Sequence, residues 1–167
     1  FGFIKRRKKL VIIMNLLKDK YVIVEVIPTS GNSEKGIIAQ LSALKLEGIK
    51  LLDRFDYRID DSFVDNNDLL EMISYDKENF KYTSDTSLII KKFKEWIEDL
   101  PILLIENDYT KDYLKDINNR MELVYPYLNV DYNYDVFNTI MAKYQIAPSN
   151  YLADIIYEAI IAESNNK

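Results

Sequence analysis

The 167-residue chain contains no cysteine and no histidine. The first absence removes disulfides and thiolate chemistry. The second removes the commonest general base, serine–histidine triads and histidine-ligated zinc. Hydrolytic chemistry, if any, has to come from carboxylates, lysine, tyrosine or bound metal ions. Glycine and proline are scarce at four residues each, and neither a repeat nor a low-complexity linker interrupts the chain. No apolar run approaches the ~20 residues of a membrane-spanning helix, so no membrane span is expected and cytoplasmic residence follows by default. What is present, 48% hydrophobic and 29% charged residues, is the composition of one soluble globular domain long enough to close a single core.

The net charge of −5 conceals two unlike parts. Residues 1–20 carry seven Lys or Arg against one acid, a balance of +6, and the remainder carries 15 basic and 26 acidic residues, a balance of −11. A body of that sign repels a polyanion, so any binding of single-stranded nucleic acid is expected to be weak. Lys5-Arg6-Arg7-Lys8-Lys9 followed by Leu10-Val11-Ile12-Ile13-Met14-Asn15-Leu16-Leu17 mimics the charged and apolar regions of a signal peptide. The apolar run is short, however, contains Asn15, and leads into Lys18-Asp19-Lys20 instead of a small-residue cleavage site. Residues 1–19 are therefore expected to form a basic, amphipathic leading helix packed on the domain. The alternative is an arm that contacts phosphate or an anionic surface. The start at Phe1, not methionine, predicts a segment of a longer protein.

Tyr21 to Ile27 is β-branched and nearly all apolar, the pattern of a strand buried on both faces. Ile37–Leu46 and Ile49–Ile59 flank Glu47-Gly48 and predict a hairpin. The acidic stretch from Asp60 to Asn67 predicts a loop, and Asp68–Ser74 a short helix. Thr86 or Ser87 is placed to cap a helix on which Leu88, Ile89, Phe93, Trp96 and Ile97 recur at helical spacing, with Trp96 in the core. Ile102–Ile105 is a short buried strand. Helices are expected from Asn107 or Asp108 to about Asn119, near Tyr134–Tyr144, and from Asn150 to about Ser164. The order indicates a layered α/β domain. Of the 13 tyrosines nine fall at or after Tyr109; Tyr125, Tyr127, Tyr132 and Tyr134 are expected to pack at the core edge and in loops, not to stack bases.

The segment Tyr21-Val22-Ile23-Val24-Glu25-Val26-Ile27-Pro28-Thr29-Ser30 resembles the first motif of the DnaQ-like (DEDD) 3′-5′ exonucleases, an apolar strand running into Asp-x-Glu-Thr-Thr-Gly. Gly36 to Leu46 looks like that family's second strand, and Leu103-Leu104-Ile105-Glu106-Asn107 stands where the family has an apolar strand entering His-Asn. Asp154 falls in the last helix. The resemblance covers residues 20–164, extends to the proofreading exonuclease domain of DNA polymerase III, and implies a ribonuclease H-like fold: a mixed β-sheet flanked by helices. It divides the chain into a basic leading helix, 1–19, and an exonuclease-like domain, 20–167.

Family members hold two metal ions with four carboxylates. Carried over by position, Glu25 takes the place of the first Asp and Ile27 that of the neighbouring Glu. With Asn107 on the family's Asn, Lys111 falls where the second Asp belongs, and Asp112, one residue on, is turned about 100° away on a helix. Asp154 keeps the last acid. The general-base position is Ser149 or Asn150, while Tyr151, three residues before Asp154, shares its helix face. The resemblance thus implies Glu25 and Asp154 as vestigial metal ligands, Tyr151 as a vestigial base, and Thr29 and Asn107 as substrate contacts. Lys111 either replaces a metal charge by pairing with Glu25 or Asp154, or is an ordinary exposed lysine. Two of four carboxylate positions hold acids, so no cofactor is expected; magnesium or manganese enters only if activity is retained.

The function expected from this pattern is a divergent exonuclease-like domain, inactive or impaired. It would handle nucleic acid or bind protein in DNA replication, repair or RNA processing, beside a polymerase or other replication protein. Two alternatives stand beside it: an active metal-dependent 3′-5′ exonuclease using Glu25, Asp154 and improvised acids such as Asp108 or Asp112, and a pure protein-interaction adaptor.

Overall fold

The computed structural model describes residues 19–29, 33, 34, 36–60, 80–85, 87–105, 110–148 and 152–165. The leading segment, the stretch expected to hold the Asp68–Ser74 helix, Asn107 and Asp108, and Ser149 to Tyr151 lie outside the described residues.

The elements run β1 (Lys20–Pro28), β2 (Ile38–Glu47), β3 (Lys50–Ile59), β4 (Lys81–Thr83), α1 (Leu88–Ile97), β5 (Ile102–Leu104), α2 (Thr110–Tyr113), β6 (Met121–Leu123), α3 (Val136–Tyr144) and α4 (Leu152–Asn165). They build a six-stranded sheet in the order β4-β3-β2-β1-β5-β6. β1, β2 and β3 are antiparallel neighbours, and β4, β5 and β6 join as parallel strands. The expected mixed sheet with flanking helices is what forms, with β1 between β2 and β5.

The alternation of side chains along a strand explains why β1 is apolar at almost every position. Val22, Val24 and Val26 face one layer, where Ile89, Phe93 and Ile97 of α1 pack with Leu41, Ala43, Phe55, Ile102 and Leu104. Tyr21 and Ile23 face the other layer, where Leu44, Leu46 and Leu103 meet Val136 and Ile140 of α3 and Ala153, Ile156, Ala159 and Ile160 of α4. Burying each such aliphatic or aromatic side chain contributes roughly 1.5–3 kcal/mol, so the two-sided burial of β1 fixes the middle of the sheet. Phe93, fully buried, is the position in α1 whose truncation to Ala opens the largest void, at roughly 3–5 kcal/mol.

Several elements differ from expectation. β4 and β6 are three residues long, too short for periodicity to reveal, and exist because β3 and β5 offer them a parallel edge. The helix expected to reach Asn119 stops at Tyr113. Lys115 N–H bonds Asp112 O and Ile117 N–H bonds Leu114 O, i→i+3 contacts that bury Leu114 and Ile117 while turning the chain into β6. Ser87 makes no side-chain cap to α1; the Asp85 carboxylate instead accepts from the Ser87 N–H at 3.0 Å and its hydroxyl at 2.7 Å. Tyr125 and Tyr127 pack on the core edge and the Tyr132 ring lies tilted against Tyr125 at 5.1 Å between centroids, but Tyr134 is fully exposed. Trp96 is half-buried, its Nε1 donating to Asp53 at 2.9 Å.

Candidate functional site

On the face of the sheet covered by α3 and α4, strand register sets polar residues in rows. Glu25 of β1 pairs with Ser42 of β2, and Ser42 with Asp56 of β3; one row nearer the helices, Ile23 pairs with Leu44 and Leu44 with Arg54. The apolar row lies under α4, and the polar row falls at its N-terminal end. β3 reads Arg54-Phe55-Asp56-Tyr57-Arg58, so its charged residues share the face of Glu25 while Phe55 and Tyr57 turn to the other layer.

Three acids meet there. Glu25 Oε2 accepts the Leu152 N–H at 2.7 Å, so the carboxylate caps the first turn of α4, where free N–H groups and the helix dipole favour an anion. Asp154, two residues along, is gripped by Arg54 in a two-pronged pair, Nη1 to Oδ1 at 2.8 Å and Nη2 to Oδ2 at 3.2 Å. The same guanidinium reaches Asp56 Oδ2 through Nε at 3.2 Å. Planar, forked donors suit this bidentate geometry better than an ammonium would.

The electrostatics follow from burial. Glu25 is pushed up to about 7, first by desolvation and then by Asp154 and Asp56, while the Leu152 and Ala153 N–H groups pull the other way. Asp56 is also raised by burial, opposed by the charge and hydrogen bond of Arg54. Its Oδ1 and the Ser42 Oγ are both buried and neither completes a well-formed hydrogen bond, although the hydroxyl lies near enough to ease the carboxylate's charge. Arg54 is held firmly in its charged form by Asp154, the stronger partner, and by Asp56.

Of the residues singled out from sequence, Glu25 and Asp154 come together at the start of α4. Ile27 is buried in the apolar cluster with Val26 and Ile38 and brings no oxygen. Among the described residues it is Arg54, from β3, whose contact with Asp154 is seen, a pairing the sequence reading did not anticipate; Lys111 lies exposed on α2. Thr29 closes the β1–β2 connection, its hydroxyl accepting from the Ile37 N–H at 3.0 Å and its own N–H donating to Ile37 O at 2.9 Å. Asp112 is exposed. Asn107 and Tyr151 lie outside the described residues. Arg54 and Asp56 were missed; the signal was the alternating Arg-x-Asp-x-Arg of β3, which on a strand must place its charges on one face.

A two-metal centre does not fit these donors as they stand. Glu25 commits an oxygen to the helix, Asp154 commits both of its oxygens to a guanidinium, and among the described residues no group of three or more acids is arranged to hold a metal ion. A cleft of about 490 Å³ runs along β3, bordered by Asp53, Phe55, Tyr57, Lys81, Lys92 and Trp96, and it adjoins the acid cluster because Arg54 and Asp56 also line it. Its aromatic faces are already engaged, with the Lys45 ammonium 4.5 Å over Trp96 and that of Lys81 5.6 Å from Tyr57.

No protein-family model matches the sequence, and no curated protein does either. Forty-one chains of solved structures match the fold. One is described as a product-bound structure of exonuclease I, with a TM-score of 0.56 and 12% identity over 88% of this chain. The match spans 43% of the exonuclease I chain. At that identity the likeness establishes the fold alone: a mixed six-stranded α/β sheet with flanking helices, similar to that of exonuclease I and consistent with a ribonuclease H-like fold.

Proposed function

We propose that this domain is a nuclease-fold module whose metal centre has been replaced by an internal ion pair, and that it handles single-stranded nucleic acid or binds a protein instead of cutting. The observation that carries this reading is the two-pronged Arg54–Asp154 contact with Asp56 on the guanidinium's third nitrogen. A guanidinium there supplies positive charge where a divalent cation would otherwise balance the acids. Even a monovalent cation at contact distance from it is disfavoured by about 4 kcal/mol at an effective dielectric of 20, and a divalent one by more. That is on the order of a thousandfold in affinity. The partnership with a polymerase or other replication protein belongs to the same reading and rests on the exonuclease-like fold.

The test is incubation of the purified chain with 5′-labelled single-stranded DNA and RNA in millimolar magnesium or manganese. The expected result is no shortening and no saturable manganese binding. Shortening from the 3′ end that Asp154→Ala abolishes would overturn the reading. A second reading, an enzyme with improvised acids, draws support from Asp56, a third carboxylate beside Glu25 and Asp154. It predicts that Arg54→Ala raises manganese binding and cleavage together, whereas the preferred reading predicts cation binding without turnover, because Ile27 still lacks an oxygen.

A further inference from the structure

Just before α3 the chain holds a large aromatic ring fully in water: Tyr134 is 108% exposed, against 50% for Tyr132, whose ring leans on Tyr125. A single exposed ring is ordinary; a ring carried on a fixed turn is less so. Asn133 Oδ1 accepts the Asp135 N–H at 2.9 Å, and Asn133 O accepts the Val136 N–H at 3.2 Å. The Asp135 carboxylate accepts from Asn138 Nδ2 at 2.7 and 2.8 Å, and its carbonyl from the Thr139 N–H at 3.0 Å. With the backbone held, a tyrosine has only two side-chain torsions left to lose on contact, which is why such rings serve as anchors at protein interfaces. Asp131 and Asp135, both exposed, give the ring a negative flank.

The cleft on β3 has the complementary form. Its volume of about 490 Å³ falls within the roughly 300–1,000 Å³ of sites that enclose a bound group. Its floor is aromatic, Phe55 lying 4.8 Å from Tyr57 and 5.5 Å from Trp96 between ring centroids. Asp53, Asp56 and Glu95 balance Arg54, Lys81 and Lys92 around it, so a polyanion gains no net attraction there. Most of these charges are committed internally: Arg54 to Asp56 and Asp154, Lys92 to Glu95, and Asp53 to the Trp96 Nε1. Lys81 is the exception. Among the described residues it makes no ion pair, and its ammonium rests 5.6 Å from the Tyr57 ring. Because Lys45 and Lys81 already lie against Trp96 and Tyr57, an entering ring meets those aromatics by their edges and offers its own face to Lys81. The occupant such a cleft suits is one aromatic ring with a carboxylate beside it.

We propose that Tyr134 of one copy enters the β3 cleft of a second copy, its flanking acids toward Lys81, and that the chain self-associates through this contact. Ring and cleft are different patches of one surface, so the contact either repeats head to tail or closes reciprocally in a dimer. One anchor per contact makes it small and transient, with a dissociation constant on the order of 100 µM. Sedimentation of the full chain, from about a tenth to about ten times that concentration, is expected to show reversible association. Tyr134→Ser, and separately Lys81→Glu/Lys92→Glu, are each expected to weaken it at least tenfold. All three positions are exposed, so an unchanged melting temperature serves as the check that folding is intact. Mixing the two variants is the decisive measurement. One retains the cleft and the other the tyrosine, so a pair is expected to form although neither variant associates alone. A chain that stays monomeric throughout, association that survives Tyr134→Ser, or a mixture that remains monomeric would each overturn the proposal.

Discussion

At the scale of single residues, the acid cluster makes opposite demands on stability that pH can separate. Glu25 titrates near 7 in the folded chain against 4.5 as an isolated group. The native state therefore holds this proton more tightly than the unfolded chain. The stability tied to Glu25 is fully present below about pH 4.5 and is lost as pH rises through about 7, amounting to about 3 kcal/mol. Asp56, raised by burial, shifts the balance in the same direction. Glu25→Gln, which keeps an oxygen for the Leu152 N–H, is thus expected to match the unaltered chain near pH 4 and exceed it by up to ~3 kcal/mol near pH 8. Urea unfolding across that range checks this; parallel curves for the two proteins would refute it. Arg54→Ala leaves Asp154 and Asp56 without their shared cation. Because the arginine is partly in water, the expected loss is moderate, roughly 1–2 kcal/mol at neutral pH. A double-mutant cycle with Asp154→Ala should return a favourable coupling, and additive losses would show that the pair is incidental.

At the scale of elements, helix ends are secured by residues that lie outside the helices. α1 ends where Glu98 turns to φ 53, and Asn119 from the segment before β6 donates to Glu98 O at 3.0 Å and Leu100 O at 2.9 Å. These carbonyls lack partners inside the helix, so Asn119 ties the end of α1 to the start of β5 and β6. Asn119→Ala is expected to lower stability by roughly 1–2 kcal/mol for two lost hydrogen bonds, read by thermal or denaturant unfolding. At the other end of α1, Asp85→Ala should lower the melting temperature more than Ser87→Ala, since the carboxylate and not the serine side chain receives the bonds. The reverse order would restore Ser87 as the cap. The open side of β3 is guarded in a related way: the Asp53 carboxylate accepts the Arg54 N–H at 2.8 Å, which occupies a backbone donor that an added strand would otherwise use.

At the scale of the whole molecule, charge divides the chain more sharply than fold does. The body carries −11 and its acid cluster is partly neutralised by Arg54, so on the proposed function any affinity for a nucleic-acid strand is expected from the leader's Lys5–Lys9. Five phosphate contacts to a single strand would give a salt slope of about −3.5, a loss of roughly a hundredfold between 50 and 200 mM salt. A fluorescence-anisotropy titration of a labelled oligonucleotide should therefore show weak binding that disappears when Lys5 to Lys9 are replaced by Gln. Binding that survives those replacements would instead place the contact on the domain's aromatic cleft. No helix among the described residues is long and apolar enough to cross a membrane.

The sequence alone determined β1 as a central strand, because Tyr21 to Ile27 is apolar on both parities and only burial on two sides accounts for that. It also determined α1 through the i, i+4, i+8 spacing of Ile89, Phe93 and Ile97, and it brought Glu25 and Asp154 forward as a pair. These are local patterns, set by the period of a strand or helix and by a resemblance along the chain. What only the tertiary structure decided was which charge meets which. Arg54 and Asp154 are 100 residues apart in sequence, and their contact depends on β2–β3 register and on α4 lying across the sheet. Alignment brought Lys111 forward and passed over Arg54, because a side chain's partner is set by the face and layer it projects from, which an alignment does not contain. The three-residue strands β4 and β6 were beyond the sequence for the same reason: so few residues carry no periodicity of their own, and each becomes a strand only because a neighbour presents an unsatisfied edge.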